Sequence, residues 1–319
     1  MYRKSEWTVT NTNYYFSAKK FDSKFDNIIF DPLFKKIVRY LFDHKDTEII
    51  LRQIKATIPT DDNIELYLDK LIKYGLVERK NRRYTLTFPI YSTEKNIQIP
   101  HSIINTLQSL TNESSLQTNY FIFGQWLWRL FFEEEQKEYF FCVESSSDNF
   151  PLFRKREAGN SALQFVSIYQ DDLIPLDFAN YFNILSKRQV LPEQFNQLQR
   201  LIGDVDINYF ITQIQKVIRS VKRNPSRVRK QTIFEEALLT TEDLLRGADG
   251  QLSLTAVCLD AIEISRETQH TLDKLKVELN LLWGTIEDVN QREYYKMQCY
   301  SILFTTCFPN QKSIQYFSF

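Results

Sequence analysis

The sequence predicts a mainly α fold of the α+β class. Three observations carry that reading. Apolar residues recur at helical spacing in most segments. Two stretches, residues 76–88 and 139–169, alternate instead at the period of a strand. The 319 residues are 43% hydrophobic and 25% charged, enough for a sizeable core and more than one domain. Four regions follow: an N-terminal arm at 1–30, a compact unit of three helices and a hairpin at 31–90, a linker and central α+β region with a small antiparallel sheet at 91–190, and a C-terminal helical bundle at 191–319.

The arm is polar and aromatic, with Asn11, Asn13, Tyr14, Tyr15 and Phe16. Asp31-Pro32 then opens a helix, because Asp caps free N–H groups and Pro is tolerated at the first helical position. Leu33, Phe34, Ile37, Val38, Leu41 and Phe42 form its inner face. Asp46 or Thr47 is the expected cap of a second helix, with Ile49, Ile50, Leu51 and Ile54 apolar. Thr60 or Asp61 opens a third, with Ile64, Leu68, Leu71 and Ile72 inward. Gly75 stops it, since glycine takes a left-handed conformation without steric cost. Residues 76–80 and 83–88 read as two strands around an Asn81-Arg82 turn. Three helices followed by a basic hairpin is the order of a winged helix-turn-helix.

Charge divides this unit. The third helix carries Asp61, Asp62, Glu65 and Asp69 against Lys70 and Lys73, net −2. Carboxylates repel phosphates, so this helix is a poor major-groove reader. The hairpin carries Arg79, Lys80, Arg82 and Arg83 against Glu78, net +3. The wing is therefore the expected phosphate contact, and Asp61, Asp62 and Glu65 are the expected contacts if the unit docks a protein instead.

The runs Asp31-Pro32-Leu33-Phe34, Leu51-Arg52-Gln53-Ile54-Lys55, Tyr74-Gly75-Leu76-Val77 and Arg79-Lys80-Asn81-Arg82-Arg83-Tyr84 resemble an uncharacterised family of low-GC Gram-positive bacteria, catalogued as domain of unknown function 1803. The resemblance implies a bacterial cytosolic protein and supplies no activity to carry over.

Beyond Pro89 the chain reads as a linker with one helix near residues 101–110. Residues 120–135 read as a buried helix, although Trp126, Trp128 and Leu130 also alternate as a strand would. Residues 139–144, 152–156 and 162–169 read as a meander, the last two pairing across Ala158-Gly159-Asn160. Helices are then expected at 192–201 and 206–223, with Asp206 capping the second. Lys216, Arg219, Arg223, Arg227, Arg229 and Lys230, with Lys222, form a run free of acidic residues and a second candidate anion site. Further helices are expected at 233–246, 253–265, 268–289 and 292–306. Leu272, Leu275, Leu279, Leu282, Ile286 and Val289 follow a heptad seam, which suits a bundle helix or a homodimer.

Charge is uneven along the chain: net +5 over residues 1–95, +1 over 96–230 and −6 over 231–319. No apolar run is long enough to span a membrane, and no apolar leader follows Met1, so the expected location is cytoplasmic. Only seven glycines occur and none form a phosphate-cradling loop. Cys142, Cys258, Cys299 and Cys307 lack metal spacing and read as reduced thiols. His44, His101 and His270 are scattered singly, and Asp171-Asp172 reads as a turn. No catalytic residue, metal or cofactor is expected. The sequence thus predicts a cytosolic bacterial DNA-binding protein, a transcriptional regulator holding double-stranded DNA through its wing. The alternative is an adaptor that docks a protein partner through the acidic third helix.

Overall fold

The computed structural model describes residues 11–17, 25, 28–29, 31–92, 97–134, 137–145, 151–225, 231–260 and 264–319. They form two units, each gathered from three chain segments. The first comprises Met1–Gln98, Glu134–Phe150 and Trp283–Lys296, and the second Ile99–Glu133, Pro151–Leu282 and Met297–Phe319. The fold is mixed α+β.

In the first unit, β1 (Asn11–Phe16) precedes α1 (Pro32–Asp43). Asp31 caps α1, its carboxylate accepting from the Leu33 N–H at 2.8 Å, and Leu33, Phe34, Ile37, Val38 and Leu41 are buried. In α2 (Leu51–Thr57) the cap position is Ile50, not Asp46 or Thr47. The Ile50 N–H donates to Gln53 Oε1 at 2.8 Å, so a helix side chain reaches back to the free amide. Asn63, not Thr60 or Asp61, caps α3 (Ile64–Lys73), accepting from the Glu65 and Leu66 amides at 3.1 and 3.2 Å. Gly75, at φ +68°, ends that helix as expected.

The hairpin follows as β2 (Val77–Lys80) and β3 (Arg83–Leu86), antiparallel, with Lys80 opposite Arg83. Ile49 and Ile50 lie along the outer side of β3: the Tyr84 N–H donates to Ile49 O at 2.9 Å, and Ile50 bridges Arg83. A separate three-stranded sheet has the order β1-β5-β4, with β4 at Ile90–Ser92 and β5 at Phe140–Ser145. β1 runs antiparallel to β5 and β4 parallel to it.

This sheet corrects one expectation and adds the pairing of the arm. The arm contributes a paired strand, and residues 139–144 pair with residues distant in sequence rather than with 152–156. The drive is aromatic burial. Phe140 stacks at 6.1 Å on both Tyr14 and Phe16 and meets Phe88 edge-on at 4.6 Å. Tyr14, Phe140 and Cys142 belong to the same apolar core as the inner faces of α1 and α3.

The second unit opens with α4 (His101–Glu113) and α5 (Leu116–Phe121). The chain then stays helical in two π-helical stretches, Ile122–Leu127 and Arg129–Glu133. The helical reading of this apolar run holds over the strand reading. A four-stranded sheet has the order β10-β11-β7-β6, from β6 (Phe153–Asn160), β7 (Leu163–Gln170), β10 (Val257–Leu259) and β11 (Ser313–Ser318). β6 and β7 pair antiparallel, but the turn is at Ser161-Ala162 rather than Ala158-Gly159-Asn160. Gly159 is needed inside β6: a Cβ there would sit 2.3 Å from Leu163 O.

Helices α6 (Phe178–Ser186), α7 (Asn196–Ile202), α8 (Ile207–Arg223) and α9 (Ile233–Thr240) share one core with β7 and β11, including Phe165, Phe178, Phe182, Phe210 and Phe317. The helices expected at 233–246 and 253–265 are corrected. α9 stops at Thr240, Glu242 takes a left-handed φ of +60°, and the antiparallel pair β8 (Leu244–Arg246) and β9 (Leu252–Leu254) follows, then β10. The segment 252–259 alternates apolar and polar positions only over Leu252-Ser253-Leu254-Thr255, and Ala256-Val257-Cys258-Leu259 is apolar throughout. Two further helices are α10 (Arg266–Trp283) and α11 (Val289–Cys307).

Among the described residues three carboxylates of this unit are buried, Asp177, Glu235 and Asp243, and Glu235 pairs with Arg246 at 2.9 Å. Asp177 caps α6 and accepts from the Asn180 amide at 2.7 Å and its Nδ2 at 3.0 Å, while Asn180 Oδ1 accepts from the Tyr169 hydroxyl at 2.7 Å. Asp243 accepts from the Thr241 hydroxyl at 2.5 Å. Burial pushes Asp177 up to about 6 and Asp243 up to about 7, and their mutual repulsion adds to the second.

Candidate nucleic-acid interface

The hairpin turn sets the geometry of the first cationic group. Asn81 and Arg82 both take left-handed φ angles, +50° and +65°, between strands that close on the pair Lys80–Arg83. This is the two-residue turn whose twist matches that of its strands. It places Arg82 at the tip. Arg79, Lys80, Arg82 and Arg83 are all exposed.

Their surroundings differ. Arg79 lies over the buried Tyr84 ring, 5.5 Å from its centre, which anchors the stem of the hairpin. Lys80 pairs with Glu78 at 2.9 Å, and Arg83 pairs with Glu48. Both pairs are solvent-exposed, and such pairs are worth about 0–1 kcal/mol, so a phosphate can displace either carboxylate. Among the described residues Arg82 forms no ion pair. Glu48 was not legible as a partner, because its contact with β3 depends on the Ile49–Ile50 bridge.

The acidic group lies at the start of α3. Asp61 and Asp62 precede the cap Asn63 and are exposed, and the Asp62 N–H donates to Thr60 Oγ1 at 3.1 Å. Glu65 pairs with Lys55 at 3.0 Å. Carboxylates here complement the positive end of the helix dipole. Between them the outward face of α3 exposes Leu66 to 60%.

The second cationic group belongs to the second unit. Asp206 caps α8 as expected, accepting from the Asn208 and Tyr209 amides at 3.0 Å. Phe210, Ile211, Ile214, Ile218 and Val221 are buried, and Lys216, Arg219 and Arg223 lie exposed. Arg227, Arg229 and Lys230 lie outside the described residues. The heptad seam is shorter than expected: α10 ends at Trp283, so Ile286 and Val289 lie beyond it. Leu272, Leu275 and Leu279 are buried within the chain itself.

The thiols are shielded. Cys142 and Cys299 are buried, and burial pushes the Cys307 thiol up to about 11, leaving it protonated at neutral pH. Among the described residues no group of three metal-ligating side chains converges, and no helix is long and apolar enough to cross a membrane.

Residues 13–119 match the family model described as Domain of unknown function (DUF1803). The DUF1803 match contains the resemblance read from residues 31–84 and extends it to β1 on one side and α5 on the other. The basic hairpin and the acidic start of α3 fall inside it, and α8 falls outside. No curated protein and no solved structure matches the chain.

Proposed function

We propose that residues 31–90 are a winged helix that holds double-stranded DNA by its phosphates, and that the chain is a bacterial transcriptional regulator working in the cytoplasm. The observation that carries this reading is the wing: a tight hairpin with Arg82 at its tip, flanked by three exposed cations. The topology supports it. Helix, short bridge strand, two helices and hairpin follow in order, with the bridge strand laid on the outer hairpin strand. Phosphate contacts of this kind position a protein without reading sequence. Lys216, Arg219 and Arg223 of the second unit are offered as a separate phosphate-contacting group.

A second reading is favoured by one observation, the exposed Leu66 in the first turn of α3, a turn that also carries Glu65 and follows Asp61 and Asp62. An exposed apolar residue next to carboxylates in sequence suits a basic protein partner better than DNA. Fluorescence anisotropy with a random-sequence duplex separates the two. Under the first reading Arg82→Ala with Arg83→Ala weakens binding evenly across sequences. Under the second, duplex binding is absent, and charge reversal at Asp61, Asp62 and Glu65 abolishes capture of the partner.

A further inference from the structure

A cleft in the second unit, about 230 Å³ in volume, opens beside the π-helical stretches. Wide turns of this kind recur at functional sites because each inserts a residue and resets which side chains share a face. Here Gln125, Trp126, Arg129 and Glu133 all line the cleft from one helical stretch. The opposite wall comes from the sheet, through Lys155, Glu157, Val166 and Tyr316.

The wall is held in place. The Tyr316 hydroxyl donates to Gly124 O at 2.9 Å, an approach open only to glycine, since a Cβ at residue 124 would sit 2.5 Å from the tyrosine ring. Gln125 Nε2 donates to Ser318 Oγ at 3.2 Å and ties the same turn to β11.

The cleft holds charges of both signs. Lys155, with its side chain only 11% exposed, is shared between Glu157 at 2.7 Å and Glu133 at 3.4 Å. Two carboxylates on one ammonium leave one negative charge uncompensated. Arg129 is exposed and forms no ion pair among the described residues. The lining is therefore neutral in sum, with one open cation, Arg129, and one carboxylate more than Lys155 compensates. Trp126 and Phe121 add flat apolar surface.

We infer that this cleft binds a free amino acid with an aromatic side chain. Arg129 takes the carboxylate, Glu133 and Glu157 take the ammonium, and the ring lies against Trp126. The cleft, at about 230 Å³, is smaller than most ligand pockets, which run from about 300 Å³ upward, and this restricts the occupant to a small molecule. The inference is independent of DNA binding, and its test contains no DNA.

The test is saturation-transfer difference NMR on the full chain with three probes. L-phenylalanine carries both charges, 3-phenylpropionate lacks the ammonium and phenethylamine lacks the carboxylate. Saturable transfer to phenylalanine is expected, with affinity about tenfold or more above either single-charge probe. Arg129→Gln is expected to reduce phenylalanine to the level of phenethylamine while leaving thermal unfolding unchanged. Absence of transfer to phenylalanine, equal transfer to all three probes, or undiminished binding in a folded Arg129→Gln variant would each overturn the inference.

Discussion

At the scale of single residues, the turn of the hairpin sets stability against charge. A left-handed conformation strains an arginine by about 1–2 kcal/mol relative to glycine, although glycine gives back part of that by loosening the unfolded chain. Arg82→Gly is therefore expected to leave stability unchanged or raise it by about 1 kcal/mol in urea denaturation, while weakening DNA affinity. Loss of affinity together with loss of stability would show that Arg82 acts through folding. The buried carboxylates give a second prediction. Asp177 and Asp243 hold protons more tightly folded than unfolded, because burial raises both well above the ordinary 3.8. Their contribution is thus greatest below about pH 4 and is lost as pH rises toward about 7, by at most about 1.4 kcal/mol per pH unit for each group. Asp243→Asn should flatten this slope in denaturation series at several pH values; an unchanged slope would assign it elsewhere. Local signals at this scale were legible: Asp31, Gly75 and Asp206 do what their types predict. Asn63 was passed over because Thr60 and Asp61 are equally good caps, and only the start of the buried face at Ile64 decides among them.

At the scale of elements, helices with a strongly one-sided apolar pattern could be read from the sequence, and short strands could not. α1 and α8 carry such a pattern over 12 and 17 residues. β8, β9 and β10 are three residues each, too short for an alternating pattern to stand out from a helical one. The partners of β5 were hidden for another reason: pairing with β1 and β4 depends on aromatic packing between distant residues. Trp126 and Arg129 fall in a run that reads as a buried helix, and the signal in the sequence for a cleft is the arginine inside that largely apolar run. Gly159 misled in the same way, as a turn residue that belongs to a strand. Gly159→Ala is expected to cost about 1–3 kcal/mol, since its Cβ would meet backbone that cannot move without breaking the β6–β7 register. Unchanged thermal unfolding of this variant would contradict the close approach.

At the scale of the molecule, neither unit is a continuous stretch of chain. Both β1 and β4 pair only with β5 in their sheet, and β5 lies more than 40 residues after β4. A fragment ending at Gln98 therefore loses Phe140 and Cys142 from its core and leaves two strands without a partner. It is expected to give a poorly dispersed amide spectrum, and addition of residues 137–145 is expected to restore order; a well-folded fragment without them would contradict the interleaved core. The three-helix and hairpin order was legible because it is local in sequence, whereas this division was not. The central claim, that the wing holds DNA phosphates, is tested most directly by the salt dependence of duplex binding measured by anisotropy on the full chain. Three or four phosphate contacts predict that log K falls with log salt at a slope of roughly −3, and that Arg82→Ala with Arg83→Ala reduces the slope by about 2. A chain that binds no duplex at low salt, or binds with a slope untouched by the double variant, would contradict it.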